Sequence, residues 1–262
     1  MVFIGTVLIW FGWFGFNGGS TLKLTLRSIV AAFNTQVAAS MGVIGWSLVD
    51  YIRHGRRFSV VGACEGAIAG LVGITPAAGY VSPWLAAVIG FITAAVCASL
   101  ENLNEWIGID EGLDVFKLHG IGGMIGSFLT GIFATNQVSM IDGTAAPGGI
   151  DGNGIQIGYQ LAAICAISLY SFVISAILLY AMKFIPGLGL RVTEEEELRG
   201  LDHGMFTDEQ IGEWGEFEEH LNQTSGRVTG THTPTVTQGH PVVAGGSSSG
   251  HSRDGVVGEK QA

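Results

Sequence analysis

Charge is what this chain has least of. Asp, Glu, Lys and Arg make up 13% of its 262 residues, where a soluble domain carries roughly 25%. That scarcity excludes an ordinary water-soluble domain. The balance is acidic, 22 Asp and Glu against 12 Lys and Arg for a net charge of −10, which argues against nucleic acid as a partner. Cysteine is scarce as well: Cys64, Cys97 and Cys165 all lie in apolar stretches, spaced too widely for a local metal or redox motif. They are read as packing residues, with no disulfide framework and no metal site. No Walker-type phosphate loop occurs, so ATP hydrolysis is not suggested and no cofactor is expected.

What remains is apolar and rich in glycine. Mean hydropathy is +0.44 and 41 residues are Gly. Uncharged runs of the ~20 residues that a transmembrane helix needs recur along the chain. They predict an all-α, polytopic transmembrane helix bundle of about six spans, near 1–22, 28–50, 60–78, 84–101, 115–136 and 155–183. TPAAGYVSP at 75–83 breaks a run too long for one helix, and PGLGL at 186–190 ends the last span. The stretch 136–155 reads as a Gly-rich loop, ordered or mobile. The first span is no secretory signal peptide, since a basic leader is missing and the apolar stretch is long and aromatic.

Lys and Arg set the orientation. Arg53, Arg56 and Arg57 follow the second span, and Lys117, Lys183, Arg191 and Arg199 fall on the same side, against Lys23 and Arg27 on the other. The Arg-rich side is expected to be cytoplasmic, which puts the tail there. Of the 22 acidic residues, 11 lie between Glu194 and Glu219. Residues 186–221 therefore read as an acidic cytoplasmic regulatory segment with short docked helices. Residues 222–262, rich in Ser, Thr and Gly, read as a disordered tail. Its hydroxyls are either phosphorylation sites that shift docking or part of a passive solvated tail.

One ionisable side chain stands out. His119 lies in DVFKLHGIGGMIGSFLTG (114–131), between Lys117 and Asp142 with no other charge in that interval. A titratable group at membrane depth is costly and marks an ion or proton pathway by default; the alternative is a satisfied packing histidine. Glycines 120, 122, 123, 126 and 131 leave a thin helix able to approach a neighbour closely. Aromatics spread through the first span, among them Trp10, Trp13 and Phe16, suit either a lipid-facing belt or a constricted apolar passage. Asp114 reads as a cap or anchor of its helix. Glu65 reads as a cap, a partner for Arg56 or Arg57, or a pore-mouth charge.

Four segments in order resemble the ammonium transporters, the Amt/Mep/Rh group: GWFGFNGGS (12–20), GACEGAIAGLVGITPAAGY (62–80), DVFKLHGIGGMIGSFLTGIFA (114–134) and PGLGLRVTEEEELRGLD (186–202). Glu65 and the IPGL start of the tail resemble the fungal Mep branch. The resemblance covers about residues 1–202 and only the second half of the family's chain. It implies the second inverted repeat and final long helix of a protein that assembles as trimers, with partners of the same family, in a lipid bilayer.

The resemblance also implies a function and roles. A narrow apolar conduit passes ammonium or ammonia, and two histidines at its centre separate the proton. Phe16 matches a gating phenylalanine, Ser20 a hydroxyl that binds ammonium in the outer vestibule, Trp13 an aromatic near the central pore, and His119 the second histidine. The first histidine has no counterpart here, because His54 lies in the Arg-rich loop and His203, His220, His232, His240 and His251 lie in the tail. The expectation is an ammonium transporter subunit of the plasma membrane whose first half is missing through a clipped gene model. The alternative is a non-transporting ammonium sensor or degenerate regulatory member. A membrane enzyme using His119 as acid–base is a third reading, with only Thr93, Ser99, Asn34 and Glu65 as possible polar partners.

Overall fold

The computed structural model describes residues 1–109, 111–185 and 187–194. Two compact units are distinguished, Met1–Leu190 and Arg191–Ala262. From residue 195 onward, the expected regulatory segment and tail lie outside the described residues.

Among the described residues the chain is helical and contains no strand. Its helices are α1 (Val2–Gly19), α2 (Leu26–Arg53), α3 (Val60–Ile74), α4 (Pro83–Ser99), the short α5 (Leu103–Ile107), α6 (Gly122–Phe133), the short α7 (Asn136–Ser139) and α8 (Ile155–Met182). A π-helical turn, Phe116–Ile121, leads directly into α6. Local chemistry fixes the starts. The Ser59 hydroxyl accepts the Gly62 N–H at 3.0 Å to begin α3, and Pro83 opens α4, where a missing N–H costs nothing.

α2, α3 and α4 make the core, and small residues let them approach. A Cβ at Gly70 would meet the Ala38 carbonyl of α2, and one at Gly126 would meet the Gly73 carbonyl of α3. Glycine at those points trades side-chain volume for backbone contact, as membrane helix pairs do. One buried cluster joins Ala38, Ile74, Val81, Leu85, Ile89 and Leu129; a second joins Trp46, Ala69, Ala94, Cys97 and Leu118.

α1 and α8 are peripheral. α8 buries none of its residues and α1 only Thr6 and Asn17. Polar links instead hold α1 to its neighbours: Asn17 Nδ2 donates to Thr35 Oγ1 at 2.9 Å, and Trp10 Nε1 to Gln36 Oε1 at 3.1 Å.

By length and composition three helices can cross a bilayer, α1, α2 and α8, and a fourth if α6 with its π turn counts together with the segment after it, which bends away by 91°. α3 and α4, at 15 and 17 residues, are shorter apolar helices, about 23 and 26 Å long, against a hydrocarbon core of about 30 Å. The 136–155 stretch is ordered. Asp151 accepts from the Asn136 N–H at 2.6 Å and from Thr135 Oγ1 at 3.1 Å. Asp142 meets Arg27 Nε at 2.8 Å, and the guanidinium lies 5.2 Å from the Tyr80 ring centre.

Candidate functional site

His119 owes its place to the π-helical turn. One residue more per turn than the i→i−4 ladder redirects the side chains around it, and such turns occur disproportionately at working sites. The turn is anchored from the side opposite His119. Lys117 is only 1% exposed; its Nζ meets Asp114 Oδ2 at 2.9 Å and lies 5.4 Å from the Trp46 ring centre. Asp114 also accepts from Asn104 Nδ2 at 3.1 Å and takes a positive φ of 53°.

Capping belongs to another acid. The Phe116 N–H donates to Glu111 Oε1 at 2.8 Å, whereas Asp114 accepts the Leu118 N–H on its backbone carbonyl at 2.9 Å and turns its carboxylate to Lys117 and Asn104. The side-chain bond to the start of the turn thus comes from Glu111, and the Asp114 carboxylate is taken up by Lys117 and Asn104. Lys117, counted in the sequence as a charge marking one membrane side, is instead inside the protein. Glu65 stands more than a turn inside α3, half-buried; Ser59 caps that helix, so the cap reading of Glu65 falls. No ion pair joins Glu65 to Arg56 or Arg57 among the described residues.

The imidazole of His119 lies against Trp13 of α1, ring centres 6.2 Å apart and planes inclined by 26°. Trp13 is held in turn: its Nε1 donates to Thr75 Oγ1 at 2.8 Å, and its ring meets that of Phe16 edge-on at 5.7 Å. Thr75 passes its own proton to the Leu71 carbonyl at 2.8 Å, so its oxygen is oriented to accept from Trp13. Trp13, Phe16, Thr75 and His119 line an open cavity of about 990 Å³ between α1, the π turn with α6, the end of α3, and α8, in which His119 and Phe16 are exposed. Its other walls are apolar apart from Gln160, Ser127, Ser168, Ser171 and Ser175. No hydrogen bond reaches the His119 ring from the described residues, so both ring nitrogens are open to a guest.

Three sequence candidates, Trp13, Phe16 and His119, are therefore brought together. Ser20 is not among the cavity residues; it caps the C-terminal end of α1, exposed, with its hydroxyl proton given to the Phe16 carbonyl at 2.6 Å and its lone pairs open. Sequence reasoning missed Thr75, read only as part of a helix break, and the serines of α8. The signal for the serines was their spacing, 168, 171 and 175, which places them on one helical face.

The first 211 residues match the model of the Ammonium Transporter Family. The chain belongs to that family. Ammonium transporter 3 of Schizosaccharomyces pombe is 49% identical over 207 residues, covering 77% of this chain and 39% of that protein. Ammonium transporter MEP2 of Saccharomyces cerevisiae is 47% identical over 219 residues, covering 81% of this chain and 42% of its own length. The crystal structure of Candida albicans Mep2 superposes with a TM-score of 0.71 at 46% identity, over 86% of this chain and 49% of that one. The chain thus spans less than half the length of these ammonium transporter relatives. Its described part is an apolar, all-helical bundle of the family's fold.

Proposed function

We propose that this chain is the second half of an ammonium transporter subunit, integral to the plasma membrane, in which the wall built from Trp13, Phe16 and His119 lines the path of ammonium or ammonia. The observation that carries the reading is the His119–Trp13–Thr75 arrangement on an otherwise apolar cavity. An imidazole in that setting can take a proton from ammonium, and a neutral ammonia molecule then moves through the apolar passage. A hydrated potassium ion has no proton to give and would bear the whole desolvation cost, so deprotonation selects against it. The aromatic faces of Trp13 and Phe16 offer the cation–π attraction that brings ammonium to the site, and Ser20 supplies acceptor lone pairs at the outer end.

The remaining expectations belong to the same proposal. Six spans put the tail in the cytoplasm, the subunit assembles as a homotrimer or a mixed trimer with family members, and the chain works as a transporter rather than an enzyme. The test is a chimera in which residues 1–202 replace the matching segment of Saccharomyces cerevisiae MEP2, expressed in yeast lacking other ammonium uptake. Cells should accumulate ¹⁵N-ammonium while rubidium, a tracer for potassium, stays at background. Rubidium entering as fast as ammonium contradicts the proposed selectivity.

A further inference from the structure

The histidine is the residue the proposed function uses, yet the most unusual side chain nearby is the lysine two positions before it. Lys117 is a long ammonium-bearing chain shut almost wholly inside an apolar bundle. Burying a charge this way is unfavourable unless it is paired and hydrogen-bonded, and three groups face it here, the Glu65 carboxylate of α3 acting through its charge. Asp114 takes the charge at 2.9 Å, and the face of Trp46, on α2, lies 5.4 Å from Nζ. The backbone of the same residue is tied too, since the Cys97 thiol of α4 donates to the Lys117 carbonyl at 3.6 Å. One residue of the π turn is therefore fixed to α2, to α4 and to Asp114, two residues before the turn, all on the side away from the cavity.

We infer that Lys117 is a positioning residue for His119, its buried ion pair with Asp114 fixing the π turn so that the imidazole stacks on Trp13. The inference rests on the proposed function for its meaning in transport, and on geometry alone for its mechanism. A π turn has a competing form, the ordinary α-helical ladder, in which side chains after the insertion rotate by roughly 100° per residue removed. On the cavity side only the Trp13 stack opposes that rotation, since no hydrogen bond reaches the His119 ring among the described residues. The tether on the far side supplies the rest of the restraint. Asp114 adds to the restraint, since its φ of 53° is unfavourable for a residue with a Cβ and is held by the bonds to Lys117 and Asn104.

The test uses the full 262-residue chain in lipid nanodiscs, labelled with ¹³C,¹⁵N-histidine. The His119 signals are identified as those lost in His119→Gln. Stacking on an indole shifts imidazole ring protons upfield, and Trp13→Leu gives the unstacked reference. In Lys117→Met/Asp114→Asn/Glu65→Gln, which removes the cation together with the two carboxylates that face it, the His119 ring protons should move downfield most of the way to the Trp13→Leu position, while the melting profile stays cooperative. Lys117→Arg keeps a cation able to reach Asp114 and stack on Trp46, and should return the signals toward the wild-type position. His119 signals in the triple variant that coincide with wild type would overturn the inference. If those signals move as expected but His119→Ala leaves ammonium uptake intact in the chimera, the positioning role stands and the transport reading fails.

Discussion

At the scale of single residues, the site rests on a few bonds with separate consequences. Trp13→Phe keeps an aromatic face, though a smaller one, and removes the donor to Thr75, so it should cost about 0.5–1.5 kcal/mol of stability from the lost bond. It should also loosen the stack on His119; a melting temperature equal to wild type would show that the bond orients nothing. On the other side of the bundle, Arg27 and Asp142 are 9% and 6% exposed and pin the ordered 136–155 segment to α2. Asp142→Ala leaves a buried guanidinium without its ion partner, a loss of about 3–5 kcal/mol when such a pair is broken. The segment should then be cut faster by added protease, whereas Arg27→Met/Asp142→Leu should recover much of the resistance. Equal cleavage of Asp142→Ala and wild type would mean that the bonds of Asp151 hold the segment alone.

At the scale of elements, the helix contacts depend on absent side chains. Gly126 of α6 faces the Gly73 backbone of α3 with no space for a methyl group. Gly126→Val should separate α6 from α3 and lower stability by more than the ~1–3 kcal/mol usual for overpacking, because backbone rather than a side chain must yield. Unchanged melting and unchanged His119 signals would contradict that. This dependence was legible in the sequence, where glycines 120, 122, 123, 126 and 131 already announced a thin helix. The all-helical, apolar character of the bundle was also legible from the uncharged runs and the Pro or Gly breaks between them, whereas the short α5 and α7 were not. The π turn was not: one added residue in a helix leaves no periodic trace in a short, uniformly apolar segment. Lys117 was misread for a related reason. Charge near the end of a span ordinarily means solvent, and only the partners brought by α2 and the Asn104–Asp114 segment make burial tolerable. Thr75 was hidden because a Thr-Pro pair at a break reads as punctuation, and its bond to Trp13 joins residues 62 positions apart.

At the scale of the whole molecule, polarity is sorted unusually. The buried core is α2, α3 and α4, while α1 and α8 present almost entirely exposed apolar surface. In a bilayer such surface meets lipid or other protein, and the chain spans under half the length of its ammonium transporter relatives. This chain, co-expressed with an intact family member, should therefore insert and enter mixed assemblies that lower ammonium uptake. Uptake unchanged despite membrane insertion would count against mixed assembly.

The claim on which everything else turns is that His119 faces the ammonium path. The direct measurement is ¹⁵N-ammonium uptake by the residue 1–202 chimera with His119→Ala, at matched surface expression. Loss of a group that relays a proton predicts a fall of about a hundredfold or more. Uptake equal to the unmutated chimera, with rubidium still excluded, would contradict the account, and the conduit would have to lie elsewhere.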